Sequence, residues 1–301
     1  MRIIPFIQTS VFVDDLYSFG GNQLATFWNS DSNKGISTQE MQGIALEMNF
    51  SESTFIEQPT MKDCSSRVRI FTPGRELPFA GHPTLGTAFV LKYKEIVKKA
   101  EAKTILELGI GPIRVEYLSG NQVQMTQPAP TFMDTINDKS RITDVIGLSP
   151  EDVSDTTPIQ IVTTGIPFII VPLKNLEAVR HAVPNPALII TELNNLASQM
   201  ILIFSTETVN QKNNVHARMF APDAGVLEDP ATGSAAGPLA AYIEKYNILK
   251  HHEFGNSITI EQGYEINRPS SLVAKVPHES MSEILVSGKV RLTAEGTYFL
   301  Q

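Results

Sequence analysis

The chain has 301 residues, 42% hydrophobic and 19% charged, an ordinary globular composition whose length suggests two domains of about 150 residues each. A net charge of −8 and a pI near 5.3 argue against a nucleic-acid groove or an anionic membrane surface, although a local electropositive pocket could still take a small acid. The single cysteine, Cys64, excludes an intramolecular disulfide; with no signal-peptide layout and no apolar run of spanning length, the chain reads as soluble and cytoplasmic.

Ile3 to Val13 is rich in Ile, Val and Phe and reads as a strand, followed by a turn at Gly20-Gly21-Asn22. Ser37 with Glu40 three residues on fits a capping box, and Met41, Ile44, Ala45 and Met48 then place an amphipathic helix. Thr54 to Ile56 and Arg67 to Phe71 read as strands. After Gly81-His82, Pro83 suits the first helical position, which makes His82 the expected N-cap. The following segment, Leu85 to Leu91, is apolar on every face and should be buried all round. Ile105 to Leu108, Ile113 to Tyr117 and Gln122 to Met125 are further strands.

The second half repeats this plan loosely. Gln160 to Thr164 is a strand, Gly165 to Phe168 a turn, Pro186 to Ala197 a helix, and Gln199 to Phe204 and Val215 to Phe220 strands. Ser234 to Tyr246 is a second buried helix in which Pro238 sits awkwardly. Ile258 to Glu261, Leu272 to Val276 and Ile284 to Leu300 complete the chain as strands. The class is α+β: two pseudo-symmetric domains, each a curled mixed sheet around one central helix. The expected division gives residues 1–127, with a returning C-terminal strand 286–301, to the first domain and 128–285 to the second.

A short phrase occurs twice: Arg69-Ile70-Phe71-Thr72-Pro73 and Arg218-Met219-Phe220-Ala221-Pro222. Each copy runs into a small-residue turn, Phe79 to Thr84 in one and Asp229 to Ser234 in the other. A strand feeding a Gly-rich turn that opens a helix builds an anion site from free backbone N–H groups. Two such sites facing each other could hold one small acid.

Four polar residues sit at or near these turns. Taken singly, each has a plain structural role: Glu52 on a solvated strand end, His82 and Ser234 as helix caps, Asp229 as a turn former. Jointly, the Gly, Ala, Ser and Thr content of both turns favours close approach of a ligand to the backbone. A hydrolase triad of Ser234, His82 and Asp229 lacks the Gly-x-Ser-x-Gly elbow. The histidines at 82, 181, 216, 251, 252 and 278 show no metal-ligand spacing with carboxylates, and His251-His252 reads as an exposed turn.

These motifs resemble the PhzF-like (phenazine-biosynthesis) family, a branch of the diaminopimelate-epimerase fold. The likeness runs through Gly21 to Ala25, Glu47 to Phe55, Arg69 to Gly86, Glu228 to Pro238, Glu261 to Gly263 and Arg268 to Ser270. It implies an active site between two similar domains and isomerisation of a small carboxylate without metal or organic cofactor. It also implies a homodimer, while the acidic balance leaves no nucleic-acid or membrane partner expected. By resemblance Glu52 is the catalytic acid/base, and Gly81, His82, Asp229, Gly233 and Ser234 bind substrate. Epimerases of the wider fold carry a cysteine at each helix-opening turn; the matching positions here are expected at Ala80 and Ala231, which leaves one-base chemistry. The family's reference reaction is isomerisation of trans-2,3-dihydro-3-hydroxyanthranilate. A non-catalytic small-acid-binding or interaction protein is the alternative.

Overall fold

The computed structural model describes residues 1–29, 35–249, 257–277 and 281–301; the expected turn at His251-His252 lies outside them. In the first half, β1 (Arg2–Val11) and β2 (Asn22–Trp28) lead to α1 (Thr38–Met48) and β3 (Glu52–Glu57). β4 (Ser66–Phe71) and the short β5 (Glu76–Leu77) precede α2 (Gly81–Tyr93), and β6 (Lys103–Leu108), β7 (Gly111–Tyr117) and β8 (Gln122–Pro128) follow. The second half holds β9 (Thr131–Ile136), α3 (Ser140–Thr143), β10 (Ile159–Thr163), β11 (Pro167–Pro172), α4 (Leu176–His181), α5 (Pro186–Glu192), β12 (Ile201–Ser205) and β13 (Val215–Ala221). It ends with β14 (Val226–Asp229), α6 (Gly233–Lys245), β15 (Ser257–Gln262), β16 (Ser270–Lys275) and the 18-residue β17 (Glu283–Leu300).

Strand pairing explains how two helices become buried. β1, β2, β3, β4, β6, β7, β8 and β17 pair in a closed ring of eight strands. α2 lies inside that ring, in contact with every one of its strands. In the second half β9 to β13, β15, β16 and β17 pair in succession around α6, with β14 a branch on β13. β17 serves both layers: its first part pairs with β16 and β8, and residues 290–300 pair with β1.

The two halves repeat one connectivity. β2–α1–β3 and β4–α2–β6 are parallel units with a helical crossover, and β11–(α4, α5)–β12 and β13–α6–β15 are their counterparts. One apolar core contains Leu85, Ala88 and Leu91 of α2 together with Ala235, Leu239 and Tyr242 of α6. Each helix is therefore apolar all round because it is surrounded on all sides.

Local signals held where a specific side-chain contact enforces them. Ser37 and Glu40 form the reciprocal capping box at the start of α1. Ser37→Ala is expected to cost about 1 kcal/mol, read as a lower urea midpoint with unchanged slope. Other expectations need correction. The turn expected at Gly165 to Phe168 gives way to β11 at Pro167, because these residues pair with β10 in a sheet interior. The helix expected over 186–197 stops at Glu192, where the polar Asn194-Asn195 pair ends its apolar pattern. α6 continues past Pro238, which lies beyond its first turn and removes the backbone donor that would reach the Ser234 carbonyl.

Candidate active site

Each copy of the doubled phrase ends its strand in the same device. The Arg69 guanidinium forks onto Glu76 of β5 at 2.6–2.7 Å and lies 5.1 Å from the centre of the Phe71 ring. Arg218 forks onto Glu228 of β14 at 2.8–2.9 Å and lies 5.0 Å from the Phe220 ring. A bidentate pair of this kind fixes the direction of the short return strand, and hence where the following helix begins. Counted back from the first helical glycines, Gly81 matches Gly233, His82 matches Ser234, Pro78 matches Pro230 and Leu77 matches Asp229. Ala80 therefore matches Thr232, the N-cap of α6, and not Ala231 as the sequence comparison places it. Neither matched position carries a thiol, and Cys64 lies in the loop before β4.

The helix starts differ from expectation in a second respect. Ala80 is the N-cap of α2, so His82 is the second helical residue and Pro83 the third; Ser234 likewise lies inside the first turn of α6. Neither N-cap supplies a side-chain hydrogen bond to its helix. The two N-termini abut: a Cβ on Gly81 would lie 2.3 Å from the Ser234 nitrogen, and one on Gly233 would lie 3.1 Å from the Gly81 Cα. Two helix ends, each with a partial positive charge and free N–H donors, thus face one another.

Three titratable side chains surround this junction. Glu52, at the first position of β3, is only 13% exposed at its side chain, so a solvated strand end is excluded. Its Oε2 lies 3.5 Å from His82 Nε2, and neither atom has a hydrogen-bond partner. Burial, reinforced by the negative charge of Asp229, raises the Glu52 carboxyl well above the usual range. Burial likewise raises Asp229 to about 6, against the opposing hydrogen bonds from Thr232, Ser51 and Asn22. Burial pushes His82 down to about 3, against a hydrogen bond to the Gln23 backbone. With Nε2 unpartnered, that bond falls to Nδ1–H, and Nε2 faces Glu52 as an acceptor. The expected site residues Glu52, Gly81, His82, Asp229, Gly233 and Ser234 all line one cavity, together with the apolar Leu77, Phe79, Ile166, Phe168, Met200 and Met219. It encloses about 30 Å³, room for one or two waters.

The depressed His82 value sets a pH dependence. The folded chain keeps this ring neutral, whereas the unfolded chain protonates it near 6.5. Stability tied to His82 is therefore present above pH 6.5 and is lost as pH falls toward 3. Urea midpoints of His82→Gln should fall less steeply than wild type between pH 6.5 and 4; parallel curves would contradict this.

Several site residues carry no signal of their own in the sequence beyond lying in stretches of family likeness. Asn22 donates from Nδ2 to Asp229 Oδ1 at 2.7 Å and to the Ala231 carbonyl at 3.0 Å, across 207 and 209 positions. Thr232 Oγ1 donates to Asp229 Oδ2 at 2.6 Å, and Gln262 clamps the Asp229–Thr232 turn. His216, fully buried, sits between the buried Glu261 (2.7 Å) and the partly exposed Glu265 (3.0 Å). Only a resemblance covering the Glu261-Gln262-Gly263 stretch could have pointed to Gln262.

The sequence model of the PhzC-PhzF family, described as phenazine biosynthesis-like protein, matches residues 9–296. The chain belongs to this family. A trans-2,3-dihydro-3-hydroxyanthranilate isomerase of Pseudomonas aeruginosa is 35% identical over 288 residues, covering 93% of this chain and 94% of that one. The crystal structure of a Bacillus anthracis PhzF-family protein superposes with a TM-score of 0.86 at 28% identity, covering all of both chains. A hydroxyproline epimerase from Agrobacterium vitis, solved with trans-4-hydroxy-L-proline, shares the fold alone, with a TM-score of 0.67 at 9% identity over 98% of this chain and 92% of that one. The Pseudomonas aeruginosa relative is thus named an isomerase, the chain has an epimerase-like α+β fold, and among the described residues no helix is long and apolar enough to cross a membrane.

Proposed function

We propose that this chain is a cofactor-independent isomerase that shifts a proton between two carbons of a small cyclic carboxylate, similar to trans-2,3-dihydro-3-hydroxyanthranilate. The observation that carries the proposal is the buried Glu52 carboxyl beside two abutting, uncapped helix N-termini. A substrate carboxylate placed at Gly81, Gly233 and Ser234 would receive the free N–H groups and relieve the opposition of the two positive helix ends. Those same donors would stabilise negative charge as it develops during proton removal.

Glu52 is assigned as the single acid and base. It takes a proton from one carbon and returns it to another on the same face, which a small swing of one carboxyl allows. A pKa raised toward neutrality suits both halves of this shuttle. Asp229 accepts from a substrate amino or hydroxyl group. His82 orients a polar substituent as an acceptor; a ring held neutral to about pH 3 is a poor proton donor. The apolar wall from Leu77 to Met219 packs against the ring of the substrate, and admitting it requires the two helix starts to part. The division into residues 1–127 with 286–301, and 128–285, places this junction between two domains. A homodimer working in the cytoplasm completes the reading, on the family resemblance and the single cysteine.

Incubation with candidate cyclic amino acids in deuterated water tests this directly. The expected result is carbon-bound deuterium with wild type and none with Glu52→Gln. Tight binding without exchange would instead support a small-acid-binding protein.

A further inference from the structure

Glu52 and Asp229 face one cavity, yet their polar surroundings differ in kind. Asp229 receives donors on both oxygens, from Asn22 Nδ2 at 2.7 Å and from the Thr232 hydroxyl at 2.6 Å, and the Ser51 side chain adds another. Glu52 Oε2 has no donor at all; its near polar neighbour is the acceptor nitrogen of His82, 3.5 Å away. Donors stabilise a carboxylate, whereas a neighbouring acceptor stabilises a protonated carboxyl.

The direction of these bonds is itself enforced. Gln262 Nε2 donates to Thr232 Oγ1 at 2.9 Å and to the Asp229 carbonyl at 2.7 Å, and its Oε1 accepts from the Thr232 nitrogen at 3.1 Å. With that lone pair occupied, the Thr232 hydroxyl proton points to Asp229. Asn22 is likewise fixed, because both groups near its Nδ2, Asp229 Oδ1 and the Ala231 carbonyl, are acceptors. Asn22 comes from β2 and Gln262 from β15, so Asp229 is held from both halves at once. The charged and titratable groups around Asp229 are Glu52 on β3, His82 on α2, and Glu228 on its own strand, whose charge Arg218 of β13 offsets.

We propose that Asn22 and Gln262 are positioning residues that decide which of the two carboxyls carries the proton, keeping the charge on Asp229 and the proton on Glu52 in the ligand-free enzyme. Neither residue touches the reacting carbon; both act through Asp229. The resting enzyme thus stores its proton on the shuttle group; a cationic substrate group that pairs with Asp229 offsets the charge that helps to hold it, and the proton passes to solvent, leaving Glu52 free to act as the base. This rests on Glu52 being the reacting group.

The test is a carboxyl ¹³C NMR titration of the ligand-free protein, with Glu52→Gln and Asp229→Asn assigning the two resonances. In wild type, Asp229 should titrate below Glu52. In Asn22→Ala and in the uncharged, similarly sized Gln262→Met, the Asp229 midpoint should rise by about one pH unit, a tenfold change in its ionisation constant, and the gap to Glu52 should narrow. Amide ¹H–¹⁵N spectra verify that each variant is folded. Unchanged Asp229 midpoints in both folded variants would overturn the proposal. The titration needs no turnover, so the two readings fail separately. Shifted midpoints without deuterium exchange would remove the isomerase and leave the positioning, whereas exchange with unmoved midpoints would do the reverse.

Discussion

Glu52→Gln is expected to lower turnover by about 10³-fold or more, the scale of a lost general acid–base group, while substrate still binds. The amide keeps the size of the side chain beside His82 but cannot carry the proton between carbons. The same substitution should stabilise the protein in a defined pH range. Because burial and Asp229 raise the Glu52 carboxyl, the folded chain holds that proton more tightly than the unfolded chain. Stability tied to Glu52 is therefore fully present below its ordinary value of 4.5 and is lost as pH rises through the folded value. Thermal midpoints of Glu52→Gln should exceed wild type at pH 8 and match it near pH 4. Near-wild-type turnover on a substrate that wild type converts would remove Glu52 from the mechanism, and equal midpoints at pH 8 would contradict the raised carboxyl.

The second large effect concerns the abutting helix starts. A Cβ at Gly81 would meet the Ser234 nitrogen at 2.3 Å and the Gly233 carbonyl carbon and Cα at 2.4 and 2.5 Å. All three are backbone atoms of a buried helix, so no side-chain rotation relieves the clash. Gly81→Ala should cost about 3 kcal/mol and weaken binding of any carboxylate at the junction, measured by urea unfolding and by calorimetry. Gly43, inside α1 with nothing within 4 Å of its missing Cβ, is the control. There, Gly43→Ala should stabilise by about 0.5–1 kcal/mol. Equal effects at the two glycines would show that the helix starts are not in fixed contact.

What could be read in the sequence is what repeats or what is local. The capping box at Ser37, the all-apolar helix beginning near Leu85 and the doubled Arg-x-Phe-x-Pro phrase depend on neighbours a few residues away. The phrase led correctly to two helix starts. Their register was misread by one residue in the second copy, because Ala231 and Thr232 are both small and only the observed N-cap separates them. The burial of Glu52 was illegible, since its strand is short and its cover, α2 and the Asp229 turn, comes from distant sequence. Asn22 reads as a turn residue inside a stretch of family likeness, and nothing local reveals its role, because its partner lies 207 positions away. Pairs of that kind leave no period in a chain; they exist only after the sheet has closed.

The shared strand β17 has a consequence for how this protein is made. Residues 290–300 pair with β1, joining Arg2 to Leu300 and Val11 to Val290. The ring around α2 therefore stays open during synthesis until the last strand leaves the ribosome, even though its other seven strands emerged long before. Pairing across nearly the full chain length makes this closure a slow, late step. Until it occurs, the free edges of β1 and β8 are exposed together with the apolar lining of the ring, a surface prone to aggregation. Removing residues 291–300 of β17 should thus injure the half of the molecule made first.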